Sequence, residues 1–478
     1  MNTFPCLSFL IVVTLCNGQV CSENIKAPAN TSRYIALFSN DQKTYLAHVE
    51  SDYELNNIAV FSHNEPTASI EENIPEGAIY AGHCNTENGY RLFYYFPNKN
   101  ETFSLGGISG TTKKPIAENQ QSIAQLTCGR KQLPAYIIAS ENSQGIYLYI
   151  PSYTNEDDMM AAQLLVLNSS MQAIREKKLT LPYGDNSLTT IQILPDSSGN
   201  IFLLAKQRQL YRSKNLPARY FLFYYNFQRN SLKEYDLQLH GRNITGAYLA
   251  QNNTNEIIVA GFYSDDMTLQ SAGVFNTTIK PMGGSMSAIR IQPFNDAEMN
   301  LFFDQRTKKI TIPDLELDGI SMGRDGFDLW GERRYSTEHS GIDPLTGRIY
   351  NEIRHHNDQI VIAHIDSSGL LKFNRVIHKQ QITTGESLYM SYHLFHKGQT
   401  VCFAFNDNPS NQSGIRDDAN IWHSSKNFAS VCVEINHLAE IHYSICDPDD
   451  ELRIIPRLCI GKTLVRGKDK TIRLCEYE

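Results

Sequence analysis

Apolar and polar positions in this chain alternate over short runs far more often than they recur at three- and four-residue spacing. The runs are rich in Tyr, Phe, Ile, Val and Leu and are bounded by Gly, Asn, Asp and Ser, the pattern of strands closed by turns. One unit repeats, a polar turn feeding a strand: NDQKTYLAHV near 40, ENGYRLFYYF near 87, NSQGIYLYI near 142, SSGNIFLLAK near 197, NTNEIIVAGF near 253, RDGFDLWGE near 324 and HKGQTVCFAF near 396. Its turn residues stand at about 42, 89, 145, 200, 255, 326 and 398. That spacing matches a propeller blade of roughly 40 to 50 residues with insertions in its loops.

Several units continue with a second hairpin, as in AAQLLVLNSSMQAIREKKLTL, ARYFLFYYNFQRNSLKEYDLQL, NDQIVIAHIDSSGLLKFNRVI and FASVCVEINHLAEIHYSI. A strand also precedes the turn, for example LTTIQIL before SSGN. Four strands per unit predict an all-β chain folded as a β-propeller, with seven blades of four-stranded antiparallel sheets and six or eight as the neighbouring counts. A pair of β-sandwich domains is the competing architecture. The least regular stretch starts at Gly273, and the spacing of Ile289, Phe294, Met299, Phe302 and Phe303 predicts a short helix between blades.

The beginning of the chain reads differently. Pro5 to Leu15 is an apolar run of signal-peptide length, too short to span a bilayer, and Cys16 and Gly18 form a small-residue cleavage pair ahead of Gln19. The expected organisation is a signal peptide over 1–18, a polar segment over 19–32 and one propeller domain over 33–478. Export to the periplasm, cell surface or exterior follows, with no membrane span. Leu15 before Cys16 and Val20 before Cys21 depart from the small residue a lipoprotein anchor needs.

Without the leader eight cysteines remain: Cys21, Cys84, Cys128, Cys402, Cys432, Cys446, Cys459 and Cys475. An even count in an exported chain is compatible with disulfides whose connectivity the sequence does not specify, and buried thiols are the alternative. No CxxC and no zinc-like Cys/His spacing occurs, so neither metal nor cofactor is expected. Seven N-x-S/T sequons, at Asn30, Asn100, Asn168, Asn243, Asn252, Asn276 and Asn411, sit in a chain rich enough in Asn, Ser and Thr to produce several by chance.

Composition narrows the partners. The 478 residues are 41% hydrophobic and 20% charged with a net charge of −8. Such a chain has a core to bury, and its acidic balance argues against coating nucleic acid, whose phosphates need a basic face.

Part of the chain resembles a known group. DGFDLWGERRYSTEH, HHNDQIVIAHIDSSGLLKFNRVIHKQQ and YMSYHLFHKGQTVCFAFNDNPSNQ are similar to segments of a family of uncharacterised exported β-propeller-like proteins of Bacteroidota. The corresponding residues are Glu332 to Tyr335, Asn357 to Ile362, Gly369 with Phe373, Lys379 with Gln380, and Phe405 to Asn408. The likeness covers the last third well and earlier blades by pattern only. It implies a secreted propeller-like protein of unknown function.

Catalytic signatures are missing from the sequence: no G-x-S-x-G, HExxH, P-loop or EF-hand loop occurs. Asp325 directly before Gly326 departs from a sialidase-type aspartate box. In a propeller the second strand of each blade leads into loops on one common face. There the candidates are Tyr153, Lys206, Tyr263 to Asp266 with Asp265 foremost, Glu332, Arg333, Arg334, Tyr335, and Asn406, Asp407 and Asn408. Amides and Arg make hydrogen-bond forks while Tyr stacks, which suits a glycan or a peptide. The bland reading makes FNDNP a turn and Glu332 with Arg333 a solvated pair. His355 and His356 read as loop residues that one metal could hardly share. The expected function is a monomeric, non-catalytic exported propeller that binds a glycan or cell-surface protein. The alternative is a carbohydrate-active hydrolase or lyase using Asp265, Glu332 and Asp407. A subunit of a surface assembly is a third option.

Overall fold

The computed structural model describes residues 14–15, 19–21, 25–26, 34–39, 43–49, 54–62, 69–71, 74, 76–86, 89–97, 103–111, 115–116, 123–126, 135–139, 145–153, 160–181, 183, 188–211, 214–294, 299, 302–304, 308–323, 325–342, 346–384, 389–408, 422–423, 429–445, 453–459, 463–468 and 471–477. Within them the chain is nearly all β and folds as a β-propeller. Successive strands pair with their sequence neighbours into antiparallel sheets, and the alternation read from the sequence becomes sheets buried on both faces. Ile257–Ser264, for example, is buried at every position.

The blade count is eight among the described residues, one more than the seven turns predicted. All seven repeating turns fall between the first and second strands of a blade, as with Leu188–Pro195 and Ile201–Tyr211 in the fourth or Tyr392–Lys397 and Thr400–Asp407 in the seventh. The eighth blade consists of Arg453–Ile454, Thr463–Lys468 and Thr471–Tyr477, and its outermost strand comes from the start of the chain: Gln19–Cys21 pairs antiparallel with Thr471–Tyr477. Its inner strand has only two residues, so no alternation was there to read. Thr14–Leu15 also pairs, in parallel, with Ile441–Ile445 of the seventh blade.

Apolar packing closes the ring. Tyr45 and Leu92 share a cluster between blades one and two, Phe93 and Leu148 between two and three, Tyr149 and Phe223 between three and four. Tyr224 with Phe275, Phe262 with Leu329, and Ile362 with Phe405 continue it to blade seven. The last cluster joins Cys402 and Cys432 of blade seven, Leu464 and Cys475 of blade eight, and Tyr34 and Leu46 of blade one. A ring of stacked blades covers both faces of the inner strands, while outer strands such as Ala173–Leu181 and Ser231–Asp236 stay largely exposed. The helix expected around Ile289 to Phe303 is corrected in part: Arg290–Pro293 is the fourth strand of blade five, and Ile289 and Ile291, two apart, pack on one side of it. Residues 295–298, 300 and 301 lie outside the described residues, and Met299 and Phe302 of the expected helix take 3-10 helical conformation.

Candidate functional site

Five hairpins repeat one device at the end of the strands where the tight turns lie. Asn168, Asp196, Asn252, Asp366 and Asn436 each accept, through Oδ1, the N–H four residues on. In each, the residue just before that donor has a positive φ: Met171 59°, Gly199 75°, Asn255 61°, Gly369 81° and Ala439 64°. This is the short hairpin turn with an Asx cap and a left-handed fourth position. Two of the sequon asparagines, Asn168 and Asn252, thus serve as turn formers.

The opposite end of the blades carries a second repeated feature. The first strands of blades one, two, four, five and six each contain a bulge, at Leu37, Ala81, Ile191, Thr245 and Asp318. Bulges re-aim a side chain. Four of these residues are uncharged; in blade six the position holds a carboxylate. The next residue is Gly319, where a Cβ would stand 2.5 Å from the Trp330 ring, so blade six needs glycine there.

Asp318 begins a chain of ionic and polar contacts. Arg334 grips it with two nitrogens, Nη1 to Oδ1 at 2.5 Å and Nη2 to Oδ2 at 3.0 Å, and Tyr392 donates to Oδ2 at 2.6 Å. The Nε of Arg334 reaches Glu332 Oε2 at 2.8 Å. That oxygen also accepts from Asn357 Nδ2 and Ser391 Oγ, while Lys379 pairs with Oε1. Lys379 Nζ donates on to the Asn357 carbonyl and to Gln381 Oε1, both at 3.0 Å, and Gln381 Nε2 donates to the Asn406 carbonyl at 2.6 Å. Asn406 finishes the chain. Its Nδ2 donates to the Ile454 and Tyr389 carbonyls and its Oδ1 accepts the Ile454 N–H, tying blade seven to blade eight.

Burial sets the electrostatics. Glu332 and Lys379 are both fully buried. Burial pushes the Glu332 carboxyl up, but the charges of Lys379 and Arg334 and the bonds from Lys379 and Ser391 outweigh it and hold it below the usual range. Burial also depresses the Lys379 ammonium against the pull of Glu332. Asp318 goes the other way: burial raises it beyond what Arg334 and Tyr392 restore.

The expected site residues therefore divide. Glu332, Asn406 and Asp407 are buried, so their expected place on solvent-facing loops, and the solvated-pair reading of Glu332, are corrected. The polar strand ends that seemed to face a ligand face the neighbouring blade. Arg333 and Tyr335 are half-buried, with the guanidinium 5.2 Å from the ring centre, and Tyr335 donates to the buried Asp358 at 2.8 Å. Asn408 is half-buried and its N–H bonds Asp407 Oδ1. Asp265 belongs to a separate group, held by Arg242 at 2.8 Å and Lys309 at 2.7 Å. His355 and His356 lie within the strand Ile349–Asp366 rather than in a loop, His355 exposed and His356 buried with its ring stacked 4.4 Å from Tyr335. Sequence reasoning missed Asp318, Tyr392 and Gln381. The visible signal for Asp318 was a charge interrupting the apolar positions of LELDGISM.

Blade six also reaches furthest. Gly326–Ile342 and Ile349–Asp366 run 17 and 18 residues and remain paired to Ile342 with Ile349, well past the register shared with Leu315–Met322. The end of this arm exposes Ile342, Ile349, Tyr350 and Ile353. Beside its base, Glu316 is exposed and Arg334 keeps 28% of its side chain accessible.

No family model and no curated protein matches the chain. Among solved structures it is similar to a protein of unknown function from Bacteroides caccae, at 10% identity over 70% of this chain and 94% of that one with a TM-score of 0.32. A protein of unknown function from Dyadobacter fermentans is similar at 8% identity, covering 97% and 100%, with a TM-score of 0.32. The β-propeller domain of the Trilobed protease from Pyrococcus furiosus is similar at 7% identity, covering 87% and 99%, with a TM-score of 0.37. Among the described residues no helix is long and apolar enough to cross a membrane.

Proposed function

We propose that the chain is an exported, monomeric protein with a leader over 1–18 that is removed and one propeller domain over 33–478, joined at its edge by Gln19–Cys21 of the segment between, that binds a glycan or a cell-surface protein without turning it over. The binding surface is the rim of blade six, where Glu316 and the exposed Ile342, Ile349, Tyr350 and Ile353 of the arm meet solvent beside Arg334. The observation that carries the reading is the bulge at Asp318, which brings a charge to a position that is uncharged in the other bulged blades. Arg334 is held by Asp318, Glu332, Glu316 and Ser391, so the group a polar partner meets is the exposed Glu316 carboxylate, set beside a fixed guanidinium rather than a flexible side chain.

A second reading is supported by the split between the two carboxylates on Arg334, Asp318 held above the usual range and Glu332 below it. Divergent pairs of this kind serve as acid and base in glycoside hydrolysis. Binding stands first because Glu332 is fully buried and both groups are already ion-paired, Asp318 to Arg334 and Glu332 to Arg334 and Lys379.

The test is a glycan array, a surface-protein crosslinking screen and a reducing-end release assay on the mature protein and on Glu316→Ala, with thermal unfolding confirming the fold. At least tenfold weaker binding by Glu316→Ala, with no release by either protein, supports the binding reading. Release by the wild type that vanishes in Asp318→Asn establishes the hydrolase reading. Unchanged binding by Glu316→Ala and by a chain whose 340–351 tip is cut to a two-residue turn removes blade six as the site. Amino-terminal sequencing of the protein made in its host checks the start at Gln19.

A further inference from the structure

Cys21 lies directly opposite Cys475 in the pairing that closes the eighth blade, with Gln19 opposite Tyr477 and Val20 opposite Glu476. Directly opposed residues of an antiparallel pair share one face of the sheet, and their Cα atoms stand about 4.5 or 5.5 Å apart, depending on whether the pair is hydrogen-bonded. Both spacings lie inside the span a disulfide bridges, about 4.4 to 6.8 Å. We propose that Cys21 and Cys475 form a disulfide that fastens the first strand of the mature chain to the last and so locks the ring.

The place of this pair in the fold argues for it. The ring is closed by short pieces of chain: three residues, Gln19–Cys21, and two more, Ile25–Lys26, are what the start of the chain contributes to Thr471–Tyr477. A strand of that length at a sheet edge frays readily, because few ladder bonds hold it against chain entropy. Cys475 itself is fully buried in the cluster shared by blades seven, eight and one. A bridge to Cys21 would convert a fraying end into a covalent one and would close a loop of some 450 residues, where restriction of the unfolded chain is greatest.

The chemistry is thiol–disulfide exchange with an external disulfide oxidant, either glutathione disulfide or the oxidised dithiol of a thiol oxidoreductase. One cysteine thiolate attacks the oxidant to give a mixed disulfide and expels one reduced thiol. The second cysteine thiolate then displaces the other, so two protons and two electrons leave the protein and the oxidant ends as two thiols. The inference rests on the export reading only for the supply of that oxidant.

Two arms separate the two ideas. The reduced mature chain is refolded with glutathione disulfide, trapped with iodoacetamide, digested without reductant and mapped by mass spectrometry. A linked peptide pair containing Cys21 and Cys475 that separates on reduction is expected. Dithiothreitol should then lower Tm by about 5 °C in the wild type and leave Cys21→Ser unchanged. Both cysteines recovered alkylated, or Cys475 linked to Cys459 or another partner, overturns the proposal whatever the compartment. A pair that forms with glutathione disulfide, yet is reduced in protein taken from its host, upholds the pairing and counts against export.

Discussion

The two ends of the same strands are built on different principles. At the tight-turn end each Asx cap is internal to its hairpin: Asn252 or Asp366 closes its own turn through bonds to residues two and four positions away, and a neighbouring blade adds bonds only from outside the cap, as Gln292 Nε2 does to the Gly369 carbonyl. At the other end the polar residues of blades six, seven and eight depend on one another. Asp318, the pair Glu332 and Arg334, Gln381 and Asn406 come from four different strands and Lys379 from the segment before Gln381, and each satisfies a group on the next. Local capping tolerates substitution one turn at a time, whereas a buried shared network fails as a unit.

That contrast can be broken at its strongest point first. Replacing Lys379 with Met leaves the buried Glu332 carboxylate without its main counter-charge and should cost about 3–5 kcal/mol in denaturant unfolding. The same pair gives an acid limb. Because Glu332 is held below its unfolded value, its contribution is complete above the ordinary glutamate range and is lost as pH falls through the lowered native value. Stability of the wild type should therefore drop on acidification more steeply than that of Glu332→Gln, measured by unfolding midpoint against pH. Asn406→Ala orphans the Ile454 N–H and two carbonyls and should cost about 3 kcal/mol, with amide exchange accelerated first around residues 453–455.

Substitutions at the turn end should be smaller and confined. Asn252→Ala removes the cap of one hairpin and should cost about 1 kcal/mol, with exchange changing only around 251–257. Ala439→Gly relieves a left-handed residue with a side chain and should stabilise by about 0.5 kcal/mol, read as a slight rise in Tm. A large spread of exchange changes from Asn252→Ala would erase the distinction between the two ends.

The same contrast explains what the sequence disclosed. Turn formers act locally, so the seven turns could be placed from Gly, Asn and Asp alone, and each falls between the first two strands of a blade. The eighth blade escaped because its outer strand is contributed by Gln19–Cys21, some 450 residues from its partner, and no local pattern encodes that pairing. Glu332 and Asn406 were singled out as polar residues at strand ends, but polarity does not say whether a strand end meets water or another blade. Arg334 was among the candidates, but its partner Asp318 emerges only when the bulges of several blades are compared in space. Lys379 with Gln380 was noted as a pair, yet the residue that continues the network is Gln381, the first of the strand Gln381–Thr383.

The position of the closing strand also sets a timetable for the newborn chain. Synthesis proceeds from the amino end at about 5–20 residues per second, so Gln19–Cys21 waits for tens of seconds or longer before Thr471–Tyr477 exists. During that wait blade one lacks the neighbour that covers Tyr34 and Leu46, and its sheet is open to other chains. Ring closure is the most sequence-distant pairing among the described residues and is expected to be the last and slowest step. A circular permutant that carries residues 19–26 after Tyr477 would make that pairing local, and should reach the closed ring sooner without altering a single blade.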